Sequence, residues 1–168
     1  VVVVDQQRAH ERVVYEHYLK AKKEQAIYSQ QVLFPEQLEL SANDFLMVKD
    51  LLDEFKHLGF DLSVFGKNSF VVNGTPADMQ DFNVLQTLEG IIETYKLNTL
   101  DAKIEKHDNL CRAIAKNISI RYGKTLEQEE MKLLLNSLFS CENPLYTANG
   151  KIIMMDIAYH DIEKYFKK

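Results

Sequence analysis

The stretch Val1-Val2-Val3-Val4-Asp5-Gln6-Gln7-Arg8-Ala9-His10-Glu11-Arg12-Val13-Val14-Tyr15-Glu16 decides how the rest of the chain is read. Four successive β-branched valines suit a buried central strand. Asp5 follows where that strand would end, and its side chain can cap a helix that starts there. Along that helix Gln7 and Glu11 stand four residues apart and share a face. An acid at a strand end with a polar pair one helical turn apart is a frame for metal or acid–base chemistry. One of its positions holds a glutamine, which weakens that reading from the start.

The chain has 168 residues, enough for one domain or two small subdomains. Its net charge of -5 argues against a dedicated nucleic-acid-binding domain, which normally carries a basic excess, but leaves room for a local basic patch. No apolar run approaches the roughly 20 residues that span a bilayer, so no membrane contact is expected. The valine run is too short, and lacks the basic flank and cleavage site, for a signal peptide. Two cysteines, Cys111 and Cys141, suit a reducing compartment better than a disulfide framework, and a cytoplasmic location is expected. Starting on a strand without Met, the chain reads as a piece of a longer protein.

Outward from the opening, the periodicity predicts a first helix from about Gln6 to Lys23. Ala9, Val13, Val14 and Tyr18 form its apolar stripe, and Lys20, Lys22 and Lys23 complement its C-terminal dipole. Ala26 to Pro35 is expected to be extended and broken by proline, with a short strand over Glu36 to Ser41. Ser41 or Asn43 caps a helix with Phe45, Val48, Leu51, Leu52 and Phe55 on one face, ended by Gly59. Phe60–Phe65 and Ser69–Asn73 flank Gly66-Lys67-Asn68 as a β-hairpin, and Gly74 to Asp78 is a break. Two helices fill Met79 to Ile120, divided near Leu97 to Asp101. Thr125-Leu126-Glu127-Gln128 resembles a capping box opening a helix that carries Met131, Leu134, Leu135, Leu138 and Phe139. A strand over Lys151 to Ile157 and a helix over Asp161 to Lys168 close the chain.

Asp5 to Glu16 resembles the DQHAxxExxxxE motif of the C-terminal domain of MutL, the DNA mismatch-repair protein. Thr125 to Met131, Glu142-Asn143-Pro144 and Ile162 to Lys167 are similar to that family's closing pattern, in the same order. The resemblance implies an α+β fold of two subdomains. The first, 1–28 with 101–168, would be a discontinuous dimerisation subdomain. The second, 29–100, would be an inserted external or regulatory subdomain.

In members that nick DNA the family's motifs hold metal. Here Asp5, Glu11 and the outer Glu16 match the opening motif, while Gln7 stands for its His and Arg8 for the following Ala. Leu110-Cys111-Arg112 matches the Ala-Cys-Lys/Arg motif at Cys111. In the segment matching CPHGRP, Thr147 stands for the Cys and Asn149 for the His. Neutral Gln, Thr and Asn oxygens are weak donors for zinc or manganese, which favour imidazole, thiolate and carboxylate. The expectation is therefore a vestigial site without metal or nicking. The rival is an active endonuclease using Asp5, Glu11, Glu16 and Cys111 in an altered shell. His10 is expected to be a surface or partly packed histidine, Cys111 a small core residue, and His57, His107 and His160 surface residues.

Gln30-Gln31-Val32-Leu33-Phe34-Pro35 fits Gln-x-x-Leu-x-Pro and resembles the segment with which MutL binds the replicative sliding clamp. Gln30 would offer amide hydrogen bonds, Leu33 and Phe34 would fill an apolar pocket, and Pro35 would keep the segment extended. The plainer alternative is an edge strand with Val32 and Phe34 packed inward. Val1, Val3, Ile152 and Met154 are the dimer-interface candidates, on a sheet formed by the two chain ends. Its outer face could instead be covered by Phe139 and the last helix. The family further implies a homodimer that works with MutS and the clamp, with a separate endonuclease or helicase as a further candidate partner. DNA contacts would be weak or made through the full-length protein. No cofactor is expected in this domain; ATP and Mg would belong to an N-terminal ATPase domain. A generic ligand-binding α+β domain is the remaining alternative.

Overall fold

A computed structural model describes residues 1–21, 27–79, 82–99 and 104–166. Contacts divide the chain into two compact units, Val1–Glu16 with Ser119–Lys168, and His17–Ile118. The first is therefore assembled from both chain ends. The subdomain boundaries expected from the resemblance, 28/29 and 100/101, are stated differently from these contact boundaries, and the second of them lies outside the described residues.

In the first unit the opening segment forms strand β1 (Val2–Val4) and runs into helix α1 (Gln6–Ala21), whose last residues belong to the second unit. Lys22 and Lys23, expected to end this helix, lie outside the described residues. β1 pairs antiparallel with strand β5 (Met154–Asp156), with Val3 opposite Met155 and Val4 opposite Met154. Strand alternation then sorts the side chains. Val4 and Met154 pack with Val13 and Leu134 on a small core of Ala9, Leu138 and Ile153.

The sheet has two strands, not a buried centre, and Val1, Val2 and Val3 are exposed. β-branched composition reports strand preference, while burial depends on what covers the strand. Phe139 is exposed too, and the closing helix α7 (Tyr159–Lys164) has no buried residue, so neither is buried over the valines. Lys167, at the end of the expected closing pattern, lies outside the described residues.

The cap of helix α6 (Gln128–Phe139) lies two residues later than the Thr125 reading places it. Glu127 is the cap residue, and the Glu130 carboxylate accepts its N–H at 2.7 Å. Leu126 is buried just ahead of it.

The second unit holds a three-stranded antiparallel sheet in the order β2 (Ser29–Glu39), β4 (Ser69–Pro76), β3 (Asp61–Phe65). β2 is one strand, although Pro35 suggested two segments. β4 runs through Gly74 and Thr75 to Pro76, which reads as a break in sequence. The two deviations have one cause: the pairing of Ser29 with Pro76 and of Gln31 with Gly74 overrides local preference.

Helices α2 (Ala42–Asp50) and α3 (Leu52–His57) pack Phe45, Val48 and Phe55 inward. Phe45 stacks on Phe70 of β4 at 4.8 Å, and Phe55 meets Phe60 edge-on at 5.5 Å. Ser41 is the N-cap of α2, accepting the Asp44 N–H at 3.1 Å. Helices α4 (Val84–Asn98) and α5 (Lys106–Ile118) lie side by side. Gly90 permits this approach, because a Cβ there would collide with Asn117 Oδ1. The Asn117 amide instead bonds Thr94 Oγ1 at 3.0 Å.

One histidine reading is corrected. His107 is only 2% exposed, with Nδ1 2.8 Å from Glu54 Oε2. It sits in the first turn of α5 beside Asn109 and Leu110, both buried, so its helix face faces inward. No periodic partner in the sequence revealed that face.

Candidate functional site

Asp5 stands where β1 hands over to α1. Its Oδ1 accepts the Arg8 N–H at 3.1 Å and its carbonyl accepts the Ala9 N–H at 2.9 Å, the capping arrangement expected. Its Oδ2 lies 3.2 Å from Arg8 Nε, and Arg8 Nη1 donates to the Ile152 carbonyl at 2.7 Å. One guanidinium thus ties the capping acid to the segment entering β5. Gln7 lines a cavity of about 610 Å³. Asp5 to Arg8 give that cavity a polar wall, Val3, Ile152 and Met155 an apolar one, and Tyr122 with Gly123 form a further side.

Glu11 lies one turn beyond Gln7 and is half-buried. Glu16 is turned about 140° from Glu11 round the helix and is only 5% exposed. Its carboxylate accepts from Arg12 Nε at 2.9 Å, the Glu142 N–H at 2.8 Å and the Asn143 N–H at 3.3 Å. It therefore anchors the loop after α6. Arg12, buried beside it and stacked 5.4 Å over the Tyr15 ring, is a residue that sequence reasoning missed. The signal was present, since Arg12 and Glu16 are four apart on one helix.

Thr147 is buried within a tight turn. Its Oγ1 accepts the Lys151 N–H at 3.1 Å, its N–H donates to the Lys151 carbonyl at 2.9 Å, and its carbonyl accepts the Gly150 N–H at 3.0 Å. Asn149 is exposed at the tip of that turn. Cys111 is fully buried in α5 of the second unit, in an apolar helix face. His10 is partly buried and its Nδ1 accepts the Ile120 N–H at 3.2 Å. Among the described residues, no group of three or more His, Cys, Asp and Glu side chains is placed to hold a metal ion.

The Gln30 to Pro35 segment lies in the second unit on the outer strand of the sheet. β2 pairs with β4 through Gln31 and again from Glu36, and the residues between leave the register. Leu33 is 91% exposed and Phe34 83% exposed, with Gln30 and Pro35 also at the surface. The inward packing of Phe34 considered for an ordinary edge strand does not occur.

Of the interface candidates, Val1, Val3 and Ile152 are exposed, at 65%, 46% and 55%. Met154 is turned toward the core, and Met155 occupies the exposed position beside it. The alternation along β5 separates the two methionines, and the starting phase of a three-residue strand was not fixed by sequence.

The first unit is thus a strand-to-helix corner at one chain end, capped by an acid and paired to a strand from the other end. The chain has an α+β fold in which the first unit leaves an apolar strand exposed. A family model described as MutL C terminal dimerisation domain matches residues 1–126. The DNA mismatch repair protein MutL of Bacteroides fragilis (strain YCH46) is 34% identical over 167 residues, covering 99% of this chain and 27% of that protein. That of Parabacteroides distasonis is 34% identical over 171 residues, covering 99% and 27%. That of Chlorobium chlorochromatii (strain CaD3) is 30% identical over 166 residues, covering 99% and 26%. The chain belongs to the MutL C-terminal dimerisation domain family. It spans about a quarter of the length of the curated relatives it matches.

Proposed function

We propose that the chain serves DNA mismatch repair as a homodimerising, partner-docking domain that does not nick DNA. The observation that carries this reading is that Asp5 at the surface and Glu16 in the interior are both already engaged by partners in the chain. Asp5 is paired with Arg8, and Glu16 is bonded to Arg12 and two backbone N–H groups. A carboxylate already holding an internal cation gives little to a divalent ion, and Gln7, Thr147 and Asn149 bring only neutral oxygens or amides. The residues present do not fit the family's metal, and no step of hydrolysis is derived through one. The test is incubation of the purified chain with Mn2+ and supercoiled plasmid. No nicking above a protein-free control is expected. Nicking that Glu11→Ala abolishes would establish the rival, an endonuclease with an altered shell.

Docking rests on Leu33 and Phe34, two large apolar side chains that leave the sheet and meet solvent. Such residues are costly to expose without a partner groove, and their extended, proline-ended setting suits peptide-in-groove recognition by the replicative sliding clamp. The Gln30→Ala/Leu33→Ala double variant is expected to lose clamp binding in a pull-down while keeping its circular dichroism spectrum. Retained binding would refute the assignment. MutS and a separate endonuclease or helicase are the further partners of this reading. ATP and Mg belong to an N-terminal ATPase region of the full-length protein, and the setting is cytoplasmic. Among the described residues no helix is long and apolar enough to cross a membrane.

A further inference from the structure

The dipeptide Asn-Gly occurs twice in the chain, at Asn73-Gly74 and Asn149-Gly150, and the fold gives the two opposite settings. Asparagine is chemically labile, and a following glycine exposes it further. With no Cβ in the way, the next backbone nitrogen can approach the asparagine side-chain carbonyl carbon. Asn73 lies on the central strand β4, and its Nδ2 donates to Ser63 Oγ at 3.0 Å. Gly74 is buried and pairs with Gln31 on one side and Asp61 on the other. A Cβ at Gly74 would collide with Ser29 Oγ and crowd the Gln30 carbonyl, so the backbone there has no room to bend toward a side chain.

Asn149 and Gly150 are both exposed at the tip of the turn that Thr147 and Lys151 close. Gly150 has φ +76°, and a Cβ there would meet no heavy atom within 4 Å among the described residues, its chain neighbours aside. The Gly150 N–H donates to the Thr147 carbonyl at 3.0 Å, a bond within the turn itself rather than one of a ladder between strands. A turn tip opens at far smaller cost than the central strand of a sheet, so the reactive arrangement is reached often at Gly150 and rarely at Gly74.

We propose that Asn149 is a site of spontaneous covalent modification, selected by the fold over Asn73. The Gly150 nitrogen gives its proton to solvent base and attacks the Asn149 side-chain carbonyl carbon. The new N–C bond closes a succinimide ring, and the side-chain nitrogen leaves as ammonia with a proton from water. Water then opens the ring at either carbonyl, leaving an aspartyl residue or, with the backbone rerouted through the side chain, an isoaspartyl one. In sum one water is consumed and one ammonia released, with no oxidant, reductant or enzyme. The isoaspartyl product lengthens the backbone inside the turn. There the Lys151 N–H donates to Thr147 Oγ1, the Thr147 N–H donates to the Lys151 carbonyl, and Tyr146 bridges Ile152. The change therefore reaches the segment that enters β5. The inference is independent of dimerisation, clamp docking and the loss of nicking.

The test is ageing of the 168-residue chain at mildly alkaline pH and physiological temperature, followed by peptide mapping with mass spectrometry. The Asn149 peptide should first appear lighter by one ammonia and then as paired aspartyl and isoaspartyl forms. It should convert at least roughly tenfold faster than the Asn73 peptide, because the tip opens locally and the central strand does not. In urea the two rates should converge, since the dipeptide is the same. Hydroxylamine added during ageing should cut the chain after Asn149, and Asn149→Gln should remove that cut. Thermal unfolding of the isoaspartyl form, isolated by anion exchange, should show a lower midpoint than the fresh chain. An unmodified Asn149, equal rates in the folded chain, or a rate difference that survives in urea would overturn selection by the fold. An unchanged midpoint would overturn the coupling of the turn to β5.

Discussion

At the scale of single residues, Glu16 shows how a motif position can keep its identity while its role is structural. It accepts from Arg12 and from the Glu142 and Asn143 N–H groups at a site almost closed to solvent. Removing a buried partner leaves a charge and two donors uncompensated, so Glu16→Ala is expected to cost about 3 kcal/mol in urea unfolding. A loss under about 1 kcal/mol would mean that the loop after α6 is held by something else.

Asp44 is a second case with a pH signature. Hydrogen bonds from Lys96 at 3.0 Å and Ser41 at 2.8 Å hold its carboxyl below the usual carboxylate range. A depressed folded value stabilises above the unfolded value of about 3.9 and is lost as pH falls through the folded one. Asp44→Asn should therefore lack that part of the acid-limb loss in the thermal midpoint, with little change in slope near neutrality. The same pair raises Lys96 above the usual lysine range, through Asp44 first and then Glu93. That contribution is present below the unfolded lysine value and fades only as pH rises through the folded one, so the acid limb isolates Asp44.

At the scale of elements, much was legible. The change from a valine run to a 3.6-residue apolar repeat, with Asp5 between, placed β1, the cap and α1. Asp5→Ala should cost about 1 kcal/mol for the lost cap, read as a shift in the urea midpoint at constant slope. Gly66-Lys67-Asn68 between alternating runs placed the β3–β4 turn. What misled was chemistry decided by distant partners. Pro35 looked like a terminator, but the strand resumes because β4 offers the next residues of its edge. Thr125 looked like a cap, yet Leu126 is buried and the cap falls at Glu127. His107 had no sequence partner because Glu54 lies on another helix. The candidate site was half legible. The identities of Gln7, Thr147 and Asn149 could be read directly, whereas the reach of Arg8 to the Ile152 carbonyl depends on how β5 closes on β1.

At the scale of the whole molecule, the first unit leaves Val3 and Met155 exposed on a sheet of two strands among the described residues, with Val1 and Ile152 exposed just outside those strands. An isolated two-stranded sheet is marginal in water, and an apolar patch of this kind is removed most simply by a two-fold contact with another copy. The chain is expected to run as a dimer in sedimentation equilibrium at micromolar concentration. Val3→Glu should shift it toward monomer and make its thermal midpoint less dependent on protein concentration. A wild-type chain that stays monomeric would exclude the valine strand as the contact.

The way β2 leaves and rejoins its ladder has a consequence for how the domain can change over time. Ser29 to Gln31 and Glu36 to Glu39 are both anchored to β4, so the intervening residues form a cassette clamped at each border. Insertions, deletions or a wholesale exchange of Val32 to Pro35 leave the ladder on either side untouched. Recognition can then drift, be retuned to a different groove, or be replaced by a grafted epitope, while the thermodynamics of the scaffold stay put.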